Sequence, residues 1–198
     1  MRPPALLVFA TRYDAVTRRT YAIAERLLAD VEGLGVGSLA LCEASATASE
    51  LGAAIAKGPA VIAFYCHGDT QGRILSQDRE PCWSSGNMPD LSGIAVFAHA
   101  CRAICWLRVQ AGELKARLLV GYQRDLITPA NGSRRFWEVY EAVHCFVPRH
   151  LAAGDDEAWI RREFYEVCTR YEHELNGHQA GLVELIAVQQ SRDDIAFV

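Results

Sequence analysis

Five short apolar runs constrain this chain most. They cover residues 5–10, 36–41 (the weaker one), 60–65, 94–98 and 118–122, and each is a strand's length. Apolar residues recur at helical spacing between them: Tyr21, Ala24, Leu27, Leu28 and Val31; Leu51, Ala54 and Ile55; Ile104, Leu107, Ala111 and Leu114. Continuous apolar runs indicate strands buried on both faces. Strands alternating with helices indicate βαβ units. The expected fold is therefore α/β, with a central mostly parallel sheet and helices on both faces, in three layers.

Local signals mark the boundaries. Gly33 and Gly35 end the first helix, Thr47 to Glu50 forms a capping-box pattern, and Gly58-Pro59 stops the next helix. Residues 76–93 and 123–133 are rich in turn formers and read as loops. Helices follow around Phe136, Trp137, Tyr140 and Val143, and around Ile160, Phe164, Val167, Cys168, Tyr171 and Leu175. The segment 181–198 fits neither period. No repeat or linker divides the 198 residues, which read as one domain with a core over about 5–146 and a C-terminal helical extension over about 151–198.

Bulk properties narrow the function. A net charge of -4 argues against a broad nucleic-acid surface and against a polybasic membrane anchor, so neither partner is expected. Seven cysteines make an odd number without a disulfide spacing. No apolar run reaches membrane-spanning length, and the start does not read as a signal peptide, so a reducing cytoplasm is expected. No C-x₂-C pair or His-Glu-x-x-His motif is present. No metal or cofactor is therefore expected.

In parallel sheets, ligands sit beyond the carboxyl ends of the strands. The third and fourth runs end in Cys66-His67-Gly68 and Ala100-Cys101-Arg102. If those strands are neighbours, an imidazole and a thiol meet at the rim. A thiol at a helix start, where negative charge is favoured, is a candidate nucleophile with a lowered pKa. His67 is then the candidate acid/base, and the Gly68 and Cys101 N–H groups are candidate oxyanion donors.

These residues resemble the caspase-like cysteine peptidases. CHGDTQG at 66–72 resembles their His-Gly motif, and HACRA at 99–103 resembles their cysteine motif, Gln-Ala-Cys-[Arg/Gln/Gly]-Gly. His99 replaces the glutamine and Ala103 the final glycine. His67 lies 34 residues upstream of Cys101, closer than the family's spacing of about 50. GYQRDLITPANGSRRF at 121–136 resembles the Gly-Tyr strand end, specificity loop and Gly-Ser-x-x-Phe helix start that follow. The ordered matches span roughly residues 60–140.

The resemblance implies a caspase-like fold and a cysteine endopeptidase with His67 and Cys101 as its dyad. It implies a protein or peptide substrate and an activating protease or regulatory partner. By analogy with prokaryotic stand-alone relatives it implies a defence or cell-death setting, antiviral defence included. For the substrate pocket it offers Arg12 and Arg124 toward an acidic P1 residue, and Asp125 toward a basic one, the latter being favoured. His99 reads equally as a pocket residue and as a structural histidine. Asp69 reads as a turn residue ahead of a pocket acid. Two other classes remain open: a flavodoxin-like module binding a nucleotide or flavin phosphate at the helix after the first strand, and a caspase-like scaffold that binds a partner without catalysis.

Overall fold

The computed structural model describes residues 3–129, 131–177 and 181–198. Five parallel strands form the centre: β1 (Leu6–Ala10), β2 (Ser38–Cys42), β3 (Val61–Tyr65), β4 (Ala95–His99) and β5 (Leu118–Tyr122). A short sixth strand, β6 (Ile195–Phe197), pairs antiparallel to β5, and the spatial order is β2-β1-β3-β4-β5-β6. The α/β class, the three layers and the mostly parallel sheet agree with expectation.

The helices are α1 (Ala15–Gly33), α2 (Ala48–Ile55), α3 (Ala103–Val109), α4 (Ala111–Leu114), α5 (Arg134–Ala153), α6 (Glu157–Gly177) and α7 (Leu182–Asp193). Side chains alternate across the sheet. Leu6, Val8, Ala63, Tyr65 and Phe97 face the layer of α1 and α5, joined there by Ile160, Phe164 and Leu175 of α6 and Val188 of α7. Leu7, Phe9, Ile62, Phe64, Val96 and Ala98 face α2 and α3. Every residue of β1, β3 and β4 is buried, which is why these strands appear as unbroken apolar runs.

Several details differ from expectation. The helix after β4 is interrupted at Gln110, giving α3 and α4. Cys105 of α3 is exposed, and its thiol donates to the Gln123 carbonyl at 3.4 Å. The ambiguous segment 181–198 becomes α7 and β6, so the chain's end returns to the sheet.

Helix ends follow local chemistry. Ser133 accepts the Phe136 N–H at 3.1 Å, and Gly154, in the left-handed region, closes α5. Inside α5, Pro148 lacks the N–H that would serve the His144 carbonyl. The buried Tyr65 hydroxyl donates to that carbonyl instead, at 3.0 Å, and so ties the helix to β3.

Candidate active site

The parallel pairing of β3 and β4 sets Tyr65 opposite His99. Two residues further along each chain stand His67 and Cys101. Both line a cavity of about 220 Å³ at the carboxyl end of the sheet, walled also by Val16 and Thr20 of α1, Cys66, His99, Ala100, Leu126 and Thr128. The structure thus brings together His67, Cys101 and His99.

Gly68 is required by close approach. A Cβ there would stand 2.0 Å from the Cys101 carbonyl oxygen and 3.2 Å from its nitrogen. The backbone after β3 is therefore pressed against the backbone carrying the thiol. Gly72, at φ +82°, approaches Arg102 in the same way. Arg102 itself is left-handed, at φ 56°, directly after Cys101. A non-glycine residue in that region stores strain of a kind that gathers at functional turns. Its N–H donates to the Arg124 carbonyl, which ties the turn to the segment after β5. Among the described residues, the Gly68 and Cys101 N–H groups donate to no backbone carbonyl.

The expected lowering of the Cys101 pKa does not occur. Burial pushes the thiol up and outweighs the Leu126 N–H, which donates to Sγ at 3.4 Å. Cys101 precedes α3 rather than opening it, and α3 is only seven residues long. The resting sulfur is a protonated thiol.

The candidate base, His67, has a neighbour the sequence reading missed. His67 Nε2 lies 2.8 Å from Asp14 Oδ2. Asp14 caps α1: its Oδ1 accepts the Thr17 N–H and hydroxyl, while its own N–H donates to Thr17 Oγ1. Partial burial opposes ionisation of Asp14, but the Thr17 and His67 donors prevail and hold its pKa down at about 2. The available signal was Asp-x-x-Thr just after the first strand. The same carboxylate stands where the flavodoxin-like reading would seat a phosphate, and repels one.

His99 is buried, with its ring stacked on Tyr65 and edge-on to His144 at 4.2 Å between centroids. Neither of its ring nitrogens has a hydrogen-bond partner among the described residues. Burial holds its pKa down at about 3, so the imidazole is neutral. His99 is at once a wall of the cavity and part of the aromatic core.

The charged candidates stand elsewhere. Asp125 adjoins Leu126 at the cavity rim and pairs with Arg102 at 2.6 Å. Arg12 pairs with Glu43 at 2.8 Å and lies over the Tyr21 ring. Arg124 pairs with Asp194 at 3.6 Å and lines a separate groove beside Gln190. Asp69 closes its own turn, accepting the Gln71 and Arg73 N–H groups and the Arg73 guanidinium. No carboxylate or guanidinium lines the Cys101 cavity among the described residues.

A second support also went unread. The Gln190 carboxamide of α7 donates to the Asp125 carbonyl at 2.6 Å and accepts the Ile127 N–H at 2.9 Å. It clamps both sides of Leu126, the residue that contacts the thiol.

A second histidine and cysteine, His144 and Cys145, sit close together and buried in α5. Ser191 donates its hydroxyl to the Ala187 carbonyl, so it accepts from His144 Nε2, and Tyr122 donates to Nδ1 at 2.8 Å. The Cys145 thiol donates to the Ile23 carbonyl at 3.4 Å. These groups satisfy one another inside the core, away from the Cys101 cavity.

No group of acidic, histidine and cysteine side chains among the described residues is placed to hold a metal ion. No helix among them is long and apolar enough to cross a membrane. Scanned against known protein families the chain matches no family model, and it matches no curated protein sequence.

Proposed function

We propose that this chain is a cysteine endopeptidase of caspase-like type, with Cys101 as nucleophile and His67 as general acid/base. The observation that carries the reading is the shared cavity: a thiol and an imidazole, on adjacent strand ends, face one opening at the carboxyl edge of a parallel sheet. His67 takes the thiol proton as sulfur attacks the scissile carbonyl, then returns it to the leaving amine. Gly68 and Cys101 N–H groups receive the oxyanion. A protein or peptide is the substrate. Release from a partner or cleavage by another protease is the form of control this reading implies, and a defence or cell-death pathway in the cytoplasm is its setting.

The favoured P1 residue is arginine or lysine. Its support is Asp125, which adjoins the cavity-lining Leu126 in the chain and whose carboxylate a basic side chain would take over from Arg102. The capping of α1 by Asp14 weighs against the flavodoxin-like alternative. The pairing of His67 with a carboxylate weighs against the inactive-scaffold alternative.

The test is a fluorogenic peptide panel with Arg, Lys or Asp at P1, run on wild type and Cys101→Ala. Cleavage after Arg or Lys that vanishes in the variant is the expected result. A preference for Asp overturns the P1 assignment. Equal labelling of wild type and Cys101→Ala by an alkylating peptide probe, with no turnover, overturns the nucleophile.

A further inference from the structure

We propose that Asp14 is a positioning residue that sets the tautomer of His67 and stabilises its charged form, completing a Cys101–His67–Asp14 relay; this rests on the peptidase reading above. The topology makes the contact. β1 lies beside β3 with Ala10 opposite Tyr65. Asp14 follows β1 by four residues and His67 follows β3 by two, and both arrive at the same corner of the sheet.

The carboxylate is aimed. Its Oδ1 is occupied by the Thr17 N–H at 2.8 Å and the Thr17 hydroxyl at 2.9 Å, leaving Oδ2 for the imidazole. Tyr13 packs its ring 5.6 Å from the His67 ring and confines it from another side, and the Arg79 guanidinium lies over Tyr13 in turn.

The proton assignment follows. Asp14 is ionised at neutral pH and accepts only. In neutral His67 the hydrogen therefore sits on Nε2, and Nδ1 carries the lone pair. Nδ1 has no hydrogen-bond partner among the described residues, so it is the nitrogen left to take a proton from Cys101. During attack that proton passes from Sγ to Nδ1, and the sulfur electron pair forms the bond to the carbonyl carbon. The Nε2 hydrogen stays between His67 and Asp14, whose carboxylate balances the new imidazolium. Collapse of the intermediate sends the Nδ1 proton to the leaving amine.

The helix cap and the relay can be separated, because Asn and Ser cap helices about as well as Asp. Asp14→Asn keeps the cap and removes the charge; Asp14→Ser keeps the cap and loses the reach to His67. Both variants are expected to retain the wild-type melting temperature within a few degrees. Both are expected to lose kcat by about 10²- to 10⁴-fold with little change in KM. The pH profile of Cys101 alkylation should shift in Asp14→Asn, since imidazolium loses its counter-charge. In wild-type protein, ¹⁵N NMR should show neutral His67 protonated at Nε2. A wild-type enzyme that dies with His67→Ala, yet keeps kcat within threefold and an unchanged pH profile in Asp14→Asn, overturns this inference and leaves the dyad standing. Protonation at Nδ1 overturns it too, whether or not either variant folds. A wild type inert toward every peptide, with Cys101 alkylation unaltered by His67→Ala, overturns the dyad and the relay together.

Discussion

Gly68 shows how tightly single residues specify the site. Its backbone lies so near the Cys101 carbonyl that a methyl group has no room: the contact would be 2.0 Å, and the obstacle is backbone rather than a flexible side chain. Gly68→Ala must therefore push the 66–75 segment away from the 100–102 turn. Overpacking of this kind costs about 1–3 kcal/mol. The expected outcome is a lower urea midpoint together with loss of the proposed peptide cleavage, because the displaced segment carries His67. Urea titration and turnover on one preparation measure both. Wild-type values for each would show that the two backbones have slack. His67 and Cys101 were legible in the sequence because each comes just after a fully buried strand, and neighbouring parallel strands bring their carboxyl ends to one edge. Asp14 was not. Its partner is 53 residues away, and the contact depends on β1 lying beside β3, a fact of strand order that no local pattern carries.

At the scale of elements, the C-terminal part supports the site rather than trailing from it. β6 covers β5, with Leu119 and Val198 exchanging both backbone hydrogen bonds at 2.8 Å. Through Gln123 and Gln190 this end also holds the loop that touches the thiol. Gln190→Leu removes both carboxamide bonds and leaves the Ile127 N–H and Asp125 carbonyl to water. Both bonds lie near solvent, so the expected stability loss is about 1 kcal/mol. On the proposed peptidase reading the functional loss should exceed it: a drop in kcat/KM of tenfold or more, with faster alkylation of a less shielded Cys101. A reactivity assay beside a melting curve separates the two, and unchanged alkylation would remove Gln190 from the site. The sequence could not announce β6. It is a three-residue edge strand in the four-residue apolar run Ile195 to Val198, too short for its period to tell strand from helix, and it follows directly on the α7 pattern. The central strands were legible for the opposite reason, since helices cover them on both faces.

The whole molecule carries a pH dependence that arises from its core. His99 and His144 are buried against each other and against Tyr65, Tyr122 and Tyr140. Burial brings His99 down to about 3; burial and then the His99 neighbour hold His144 well below the ordinary imidazole value. In the unfolded chain both titrate near pH 6.5. For His99, between about pH 6.5 and 3, the unfolded state therefore binds a proton that the folded state refuses, and His144 acts in the same direction below pH 6.5. Stability rises with pH across that window and is lost on acidification, by up to about 1.4 kcal/mol per pH unit for each histidine. Asp14 does not share the window. Its pKa is held down at about 2, so its contribution is intact above the ordinary carboxylate range and fades only as pH falls toward 2. Between pH 7.5 and 5 His99 should then cost about 2 kcal/mol, with His144 adding to the loss in the same direction, seen as a lower urea midpoint at pH 5. His99→Phe keeps a ring among the same aromatic neighbours and removes one of the two titrations, so the fall should be smaller. Equal wild-type midpoints at both pH values would mean that the imidazoles pick up protons while folded. The core could then not hold His99 neutral, and the uncharged wall it gives the Cys101 cavity would become a positive one as the pH falls.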